Sequence, residues 1–329
     1  MHIVTASDDN YVIGVLVLIA SARRHNPGAR FTVLADRWRA ENVARIEALA
    51  RRLGCPIDLL PIPDTALAGL PLRRHHVTAA TYARLFIPEI VASCDRFIYM
   101  DCDMAVTGSL DDAWNAPLGP DHLLAAVPCP TPSRRILRAI GLSTGDYFNA
   151  GFLVADTQRW RDARLPEHSF ERLRDPSYAS LSEDEYILND LCRDHWLKLP
   201  SRFNLYAIDE MHQPALEAPS QISVVHYITS PKPWVRSGPI AEIWQYEADR
   251  IADLLPAMDP RALSLRKRIS IWNKRRKVWM GYLAGKKKYR NFRAVRRLFQ
   301  DRIIPTYRAD GDLSRLTAHD GFFVGHKVR

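Results

Sequence analysis

The stretch RFIYMDCD, residues 96–103, joins a short apolar strand directly to an Asp-Cys-Asp turn. An apolar run that stops abruptly at a polar cluster is typical of a buried strand whose carboxyl end reaches the surface. Two carboxylates separated by one residue can converge on a single divalent cation if the chain turns there. Asp101 and Asp103 are therefore candidate metal ligands, although aspartates also commonly end strands and begin turns.

Strands and helices alternate on both sides of this stretch. The hydrophobic pattern predicts strands at residues 2–6, 31–35, 57–60, 152–155 and 222–225, and helices from residue 12 to the Asn26-Pro27-Gly28 turn, at 40–53 and at 81–90. Such alternation predicts an α/β fold, with a largely parallel sheet covered by helices on both faces. Ligands bind at the carboxyl ends of strands in such sheets, and the polar clusters 7–10 and 101–103 both follow predicted strands.

The 329-residue chain has the composition of a globular protein, with 47% hydrophobic and 25% charged residues. This length suits one large α/β domain, alone or with a smaller appendage. The net charge of +9 is unevenly placed, because the chain from Arg261 onward holds 20 Lys and Arg against 4 Asp and Glu, a net +16, whereas residues 1–260 are net −7. The protein is thus an acidic body with a basic C-terminal segment.

The basic segment alternates clusters of Lys and Arg with Ile, Trp, Tyr and Leu. Between Arg261 and Arg308 there are 17 Lys and Arg and a single acidic residue, Asp301. This mixture suits the interface of an anionic bilayer, and we expect the segment to dock on a membrane. The alternatives are a solvated charged helix and non-specific nucleic-acid binding. The lack of a zinc-finger or RNP-type motif and the confinement of the charge to one end argue against nucleic acid.

The five cysteines form no Cys-x-x-Cys pair and are odd in number. This argues against a disulfide framework or a structural zinc site and favours a reducing cytosol. The apolar run at residues 11–20 follows Asp8 and Asp9, which have the wrong sign for a signal peptide. It is also far shorter than the ~20 residues that span a bilayer. We therefore expect a cytoplasmic protein, soluble or peripherally bound to a membrane.

A second chemical motif is HYITSPKPW, residues 226–234, directly after the predicted strand 222–225. His226 at the end of that strand could complete a metal site, and an imidazole among carboxylates shifts the preference from Mg²⁺ toward Mn²⁺. Lys232 stands between two prolines and is a point charge suited to a phosphate. A buried structural histidine and a surface lysine are the alternative interpretation.

Five motifs together resemble one family. They are Asp8-Asp9-Asn10-Tyr11, TYARL at 81–85, Asp101-Cys102-Asp103, FNAG at 148–151 and the 226–234 motif, and they occur in the order typical of family 8 glycosyltransferases. The resemblance covers about residues 1–245. It implies a GT-A (Rossmann-like) fold with a mixed central sheet, and retaining transfer from a nucleotide sugar. In particular, the chain resembles bacterial lipopolysaccharide galactosyl- and glucosyltransferases.

The resemblance and the basic segment together imply a division of the chain and a set of partners. A GT-A catalytic domain would occupy residues 1–255, and a basic, mainly helical extension would occupy 256–329 and bind the inner face of the cell membrane. The donor would be UDP-galactose or UDP-glucose. The acceptor would be a saccharide on lipopolysaccharide or another glycolipid, and no specific nucleic-acid partner is expected.

The roles of individual residues follow from the same resemblance. The implied ligands of Mn²⁺, with Mg²⁺ as the alternative ion, are Asp101, Asp103 and His226. The residues that resemble the nucleoside pocket are Ala6, Asp8, Asn10 and Tyr11, where Asp8 would accept the uracil N–H and Tyr11 would stack on the base. The Cys102 backbone would contact the ribose, and Thr229 and Lys232 the diphosphate. The residues that resemble the sugar-binding set are Arg84, Asn149 and Asp184.

Two positions depart from the family pattern. Thr229 stands where the family usually has glycine, so that a Cβ approaches the phosphate or a hydroxyl adds a contact. Asp184-Glu185 replaces the common Asp-Gln pair on the β face of the sugar. These carboxylates would stabilise positive charge at the anomeric carbon, although acidic residues here also suit a helix N-terminus. Glu185 makes double displacement chemically plausible, whereas same-face attack is the family interpretation.

Other classes of function stay open, the first of them because of these departures. One alternative is a catalytically silent protein that binds nucleotide sugars. Another is a metal-dependent hydrolase, which would need a water-activating base that the sequence does not identify.

Overall fold

A computed structural model describes residues 1–63, 79–91, 94–130, 132–175, 178, 184–207, 222–228, 232–235, 241–257, 265–286, 297 and 299–313. The strands are β1 His2–Asp8, β2 Arg30–Asp36, β3 Ile57–Pro61, β4 Arg96–Met100, β5 Met104–Val106, β6 Leu124–Pro128, β7 Phe148–Asp156, β8 Trp196–Lys198, β9 Leu205–Tyr206 and β10 Val224–His226. The helices are α1 Val12–His25, α2 Ala40–Leu53, α3 Ala79–Ala83, α4 Ile87–Ile90, α5 Asp111–Trp114, α6 Arg134–Ile140, α7 Thr157–Asp162, α8 Leu165–Arg174, α9 Asp184–Leu191, α10 Glu242–Asp249, α11 Leu265–Leu283 and α12 Ile304–Asp310.

Among the described residues, seven strands form the central sheet in the order β3-β2-β1-β4-β7-β6-β8. The first four strands in that order run parallel, whereas β7 is antiparallel to both of its neighbours, and β8 is parallel to β6. This mixed sheet confirms the predicted α/β fold class. Because β1 and β4 are parallel neighbours, the polar clusters 7–10 and 101–103 lie at the same edge of the sheet.

The apolar run at residues 11–20 forms most of α1, a helix whose residues 12–22 are all buried. Such a helix, apolar on every side, belongs inside a protein core, and α1 contacts α2, α10 and β5. The first turn of α1 follows directly after the polar cluster 7–10. No helix in the described ranges has both the length and the apolar character needed to cross a bilayer.

A second, three-stranded sheet in the described part of the chain has the order β5-β10-β9. In this sheet β10 pairs antiparallel with β5 and parallel with β9. The sequence pattern predicted this strand at 222–225, which starts two residues and ends one residue before β10, and it did not predict the short strands β5 and β9. This small sheet is nevertheless what brings the two chemical motifs of the sequence together.

The boundaries of other elements test the sequence pattern directly. The predicted helix 40–53 and strand 96–100 match α2 and β4 residue for residue. The predicted helix 81–90 is instead broken into α3, a 3₁₀ turn at Arg84–Phe86 and α4. Pro88 explains the break, because it has no N–H to donate within a continuous helix and is tolerated only in the first turn of a new one.

The described C-terminal region is helical, as predicted, but its two parts pack differently. Residues 299–313, which include α12, return to the core with buried Phe299, Ile304 and Tyr307. Glu247 of α10 is buried and binds both Arg24 of α1, at 2.5 Å, and the Tyr307 hydroxyl, at 2.7 Å. By contrast, α11 carries most of the large exposed apolar side chains.

Candidate functional site

The three residues predicted as metal ligands meet at the junction of the two sheets. Asp101 directly follows β4 and Asp103 directly precedes β5, while His226 pairs with Met104 in the antiparallel register of β5 and β10. The His226 Nε2 atom lies 3.1 Å from Asp103 Oδ1 and 3.7 Å from Asp101 Oδ2. One ligand atom from each residue lies within 4.8 Å of the others, so this set can hold one divalent ion.

The backbone of β7 forms the floor of this cluster at Gly151. A Cβ built on Gly151 would lie 2.6 Å from His226 Cε1, 2.7 Å from Asp101 Oδ2 and 2.9 Å from Asn149 Oδ1. The Asp101 N–H also donates to the Gly151 carbonyl, at 2.8 Å. Any side chain at Gly151 would therefore displace the donor atoms, and the close fit of glycine beneath them agrees with a metal-holding role for the cluster.

Lys232 occupies the other side of Asp103. Its Nζ lies 2.5 Å from Asp103 Oδ2 and donates to the Tyr227 carbonyl at 3.0 Å. Burial alone would raise the pKa of Asp103, but the His226 imidazole and the Lys232 ammonium hold that pKa well below its usual range. Asp103 is therefore an anion at neutral pH, as a metal ligand must be.

Arg84 connects the cluster to the Asp184 carboxylate. Its guanidinium lies 3.0 Å from Asp101 Oδ1 and 2.6 Å from Asp184 Oδ2, and it donates to the Ala150 carbonyl at 2.8 Å. The guanidinium also lies 4.7 Å from the centre of the Tyr99 ring. Burial alone would lower the pKa of Arg84, but the two carboxylates raise it, so Arg84 stays charged in this buried position.

Glu185, beside Asp184 at the start of α9, is held by three donors. Its Oε1 accepts from the Tyr147 hydroxyl at 2.8 Å, and its Oε2 accepts from Asn149 Nδ2 at 2.6 Å and from the Ala150 N–H at 3.2 Å. Burial raises the pKa of Glu185 to about 7, and the hydrogen bonds offset only part of that rise. Its protonation state therefore changes near neutral pH.

A cavity of about 190 Å³ opens between this cluster and the start of α1. The residues that line it are Ala6, Ser7, Asp8, Tyr11, Ala80, Thr81, Arg84, Tyr99, Asp101, Cys102 and Asp103. The Tyr11 ring is partly exposed and packs edge-on against Trp234, with ring centres 5.5 Å apart. The cavity thus has one wall with a partly exposed aromatic ring and another with carboxylates.

The predicted nucleoside residues are placed unequally around this cavity. Ala6, Asp8, Tyr11 and Cys102 line it, whereas Asn10 is exposed and is not among its lining residues. Asp8 Oδ1 accepts a hydrogen bond from the Asn10 N–H at 2.9 Å and so caps the turn that leads into α1. Thr229 lies outside the described residues.

Two residues of the cluster carried no signal that the sequence analysis used. Tyr147, which binds Glu185, directly precedes the FNAG motif and could have been found by extending that motif by one residue. Asn204, which contacts both His226 and Asn149, belongs to no motif. Its position becomes evident only when β9 pairs with β10.

Comparison with known families finds one match over most of the chain. A family model described as "Glycosyl transferase family 8" matches residues 2–238. This range includes all of the predicted site residues and ends before the basic segment.

Individual relatives agree with this match. The chain is 27% identical to General stress protein A of Bacillus subtilis over 71% of this chain and 87% of that protein. It is 28% identical to the lipopolysaccharide 1,3-galactosyltransferase of Salmonella typhimurium, over 69% of this chain and 71% of that protein. It is 27% identical to the lipopolysaccharide 1,2-glucosyltransferase of Escherichia coli, over 71% of this chain and 72% of that protein.

A solved structure gives the same fold. The chain superposes on the galactosyltransferase LgtC, solved in complex with donor and acceptor sugar analogs, with a TM-score of 0.65 and 29% identity, over 79% of this chain and 98% of that one. The arrangement of the central sheet is therefore that of a GT-A-like glycosyltransferase, as the sequence predicted.

Proposed function

Because the chain belongs to glycosyl transferase family 8, we propose that it transfers a hexose, galactose or glucose, from a UDP-sugar to a saccharide acceptor. We propose that the transfer retains the anomeric configuration, depends on Mn²⁺ and uses an acceptor carried by lipopolysaccharide or another glycolipid. The observation that carries this proposal is the convergence of Asp101, Asp103 and His226 beside a cavity that the two aspartates line.

The proposed metal ligands are these same three residues. Two hard carboxylates and one imidazole form a donor set that suits Mn²⁺ better than Mg²⁺. When bound, the divalent ion would stabilise the negative charge that develops on the leaving diphosphate. Lys232, whose ammonium already lies beside Asp103, would add a second positive charge for the same phosphates. Thr229 is proposed to contact the diphosphate from the same motif.

The cavity offers surfaces that fit the rest of the donor. We propose that Tyr11 stacks on the uracil, that Asp8 accepts its N–H, and that the Cys102 backbone contacts the ribose. Ala6 and Asn10 complete the nucleoside-binding set. Support comes from the position of Tyr11 at the cavity wall, with its ring partly exposed. Aromatic stacking of this kind contributes about 1–3 kcal/mol per base.

The sugar would lie between Arg84, Asn149, Asp184 and Glu185. We propose same-face attack: the acceptor hydroxyl forms the new bond to the anomeric carbon while the bond to the diphosphate breaks, and a diphosphate oxygen takes the hydroxyl proton. Asp184 and Glu185 would stabilise the positive charge at the anomeric carbon. Three hydrogen bonds already engage the two oxygens of Glu185, which supports a charge-stabilising role over nucleophilic attack.

The printed names of two relatives, a lipopolysaccharide galactosyltransferase and a lipopolysaccharide glucosyltransferase, support the proposed acceptor class. A glycolipid acceptor is embedded in a bilayer, so we further propose that the basic extension, residues 256–329, holds the catalytic domain, residues 1–255, at the inner face of the cell membrane. The exposed apolar side chains of α11 support this proposal; they are Leu265, Ile269, Trp272, Trp279, Met280 and Leu283. Their spacing places them on one stripe of the helix.

The test is a screen of UDP-sugars by turnover with Mn²⁺, first for donor hydrolysis and then for transfer. We expect one hexose donor to be used, and we expect Asp103→Asn to abolish turnover at millimolar Mn²⁺ while the exposed control Asp146→Asn does not. A protein that binds UDP but turns over no donor would be a silent nucleotide-sugar binder. Trapping a glycosyl adduct on Glu185 by mass spectrometry would overturn the same-face mechanism.

A further inference from the structure

Asn204 is a buried side chain, 3% exposed, that lies between the two halves of the candidate site. Its Oδ1 lies 2.8 Å from His226 Nδ1, and its Nδ2 donates to Asn149 Oδ1 at 2.7 Å. One side of this amide therefore faces the proposed metal cluster, and the other faces the residue that donates to Glu185.

The backbone fixes Asn204 in this place. Its N–H donates to the Ser201 carbonyl at 3.1 Å and closes the 3₁₀ turn Ser201–Phe203. Asn204 then leads directly into β9, which pairs with β10 so that Tyr206 lies opposite His226. Because its N–H is bonded within the turn and the residues that follow it pair with β10, the amide has little freedom to move away from the imidazole.

The hydrogen-bond pattern determines which way each amide points. The Gly151 N–H can only donate, and it donates to Asn149 at 3.1 Å, so the accepting atom must be the oxygen Oδ1. The NH₂ group of Asn149 then faces the Glu185 carboxylate, which accepts it. Asn204 must therefore present its own NH₂ to Asn149 Oδ1 and its carbonyl oxygen to His226.

The same logic determines the tautomer of His226. A carbonyl oxygen can only accept, so His226 must carry a hydrogen on Nδ1. Nε2, which faces Asp101 and Asp103, is then the nitrogen that can give its lone pair to a metal ion. Hydrogen bonds of this kind to the second ring nitrogen orient metal-binding histidines in proteins.

We propose that Asn204 is a positioning residue that serves both halves of the site. Its carbonyl oxygen holds the ring and tautomer of His226 for the metal, and its NH₂ group holds Asn149 so that Asn149 donates to Glu185 on the sugar side. The inference rests on the proposed function, since it assigns meaning to the proposed metal ligands and sugar-binding residues.

Two substitutions of Asn204 separate its two ends. Asn204→Leu has a similar size and removes both hydrogen bonds. Asn204→Asp keeps an oxygen that accepts from His226 Nδ1–H but cannot donate to Asn149. Asn26→Leu is the matched control, because Asn26 is also buried and uses both amide ends, donating to the Ala22 carbonyl and accepting from the Leu110 N–H.

The first measurement is the Mn²⁺ affinity in the presence of UDP. The electron paramagnetic resonance signal of free Mn²⁺ reports how much of the ion is unbound. We expect Asn204→Leu to weaken Mn²⁺ binding by about 10- to 100-fold, the usual effect of losing such a partner. Asn204→Asp should stay within about threefold of the unmodified protein in Mn²⁺ affinity, yet lose about tenfold in kcat because Asn149 is released. Asn26→Leu should lower the thermal midpoint and leave the Mn²⁺ affinity unchanged.

The second measurement needs no metal. Nitrogen-15 spectra of histidine side chains report which ring nitrogen carries a hydrogen, and a His226→Gln variant identifies the His226 signal. We expect a hydrogen on Nδ1 in the unmodified protein and in Asn204→Asp but not in Asn204→Leu.

If Asn204→Leu does not fold, Asn204→Ser replaces it. The proposal is wrong if the Leu or Ser variant keeps both the tautomer and the Mn²⁺ affinity, or if Asp and Leu variants lose Mn²⁺ equally. If the unmodified protein binds no Mn²⁺ but shows the Nδ1 tautomer, the metal assignment fails and the positioning of His226 stands.

Discussion

The Nε atom of Arg84 lies 2.6 Å from Oδ2 of Asp184, in an ion pair whose two side chains are both buried. The same guanidinium reaches Asp101, so one cation lies between a proposed metal ligand and a proposed sugar-binding carboxylate. Without Arg84, the buried Asp184 and the partly exposed Asp101 would be left with no common counter-charge. The energetic cost of separating such a pair from its partner is large, about 3–5 kcal/mol.

We expect Arg84→Lys to damage both stability and activity. A lysine ammonium is a single point charge and cannot contact Asp184, Asp101 and the Ala150 carbonyl at once. The value of kcat/KM for the donor should fall by about 100-fold, and the thermal midpoint should drop by several degrees. The control is Arg52→Lys, which alters an exposed pair with Asp253 and should change neither quantity. Unaltered kinetics of Arg84→Lys would show that Arg84 does not hold the two carboxylates for catalysis.

A methyl group at Gly151 should disable the proposed metal cluster. Its Cβ would lie within 3 Å of both His226 and Asp101, side chains that Asn204 and Arg84 already hold in place. We expect Gly151→Ala to weaken Mn²⁺ binding about tenfold and to lower kcat by about 100-fold. Gly145→Ala is the matched control, because nothing lies within 4 Å of a Cβ there. Equal Mn²⁺ affinity in the two variants would contradict the metal assignment.

Glu185 should give the activity a pH dependence near neutrality. Burial raises its pKa to about 7 from the ordinary value of 4.5, so the group is largely neutral at pH 6 and largely ionised at pH 8. If the ionised form stabilises the anomeric carbon, kcat should rise through about pH 7. Glu185→Gln, which restores the Asp-Gln pair common in the family, should remove this rise and keep activity. Loss of all activity in Glu185→Gln would instead favour a covalent intermediate.

The same pKa has a consequence for stability. Between pH 4.5 and about 7, the folded protein holds a proton on Glu185 that the unfolded chain has lost. The contribution of this group to the free energy of unfolding is therefore fully present below pH 4.5 and is lost as the pH rises to about 7. Denaturant titrations at pH 5 and pH 8 should show Glu185→Gln to be less pH-sensitive than the unmodified protein. Identical pH slopes would mean that Glu185 titrates normally.

The sequence predicted the proposed metal cluster because two of its residues lie at the carboxyl ends of strands. Asp101 directly follows β4 and His226 is the last residue of β10, and ligands bind at the carboxyl ends of strands in α/β sheets. What could not be predicted was the pairing of β5 with β10, since three-residue strands have too few residues to show an alternating pattern. That pairing alone brings Asp103 beside His226.

Residues that are proposed to act through others carried no pattern of their own. Asn204 and Tyr147 bind no proposed ligand directly, and their roles depend on neighbours that are 22 and 38 residues away along the chain. A polar residue of this kind looks like any loop or strand residue until the fold brings its partner near. The break of the predicted helix 81–90 shows the opposite case, because Pro88 was visible in the sequence and its local effect is fixed by chemistry.

The exposed stripe of α11 should bind an anionic bilayer. Leu265, Ile269 and Trp272 lie at helical spacing on one side, whereas Val278, on another side, is buried. We expect flotation with vesicles containing anionic lipid at physiological salt, and weaker binding to neutral vesicles. Trp272→Glu removes a large apolar contact and adds a negative charge to this stripe, so it should weaken vesicle binding by at least about tenfold.

Ser270→Glu is the control, since Ser270 is exposed on the same helix but lies off the stripe and receives the same charge. Substitution is a sharper test than removal of the extension, because residues 299–313 pack into the core and hold Glu247 and Arg24 through Tyr307. Both variants should keep their activity on a water-soluble saccharide acceptor. Only Trp272→Glu should lose activity on an acceptor presented in vesicles. Equal vesicle binding by the two variants would show that charge alone attracts the protein and that the stripe does not insert.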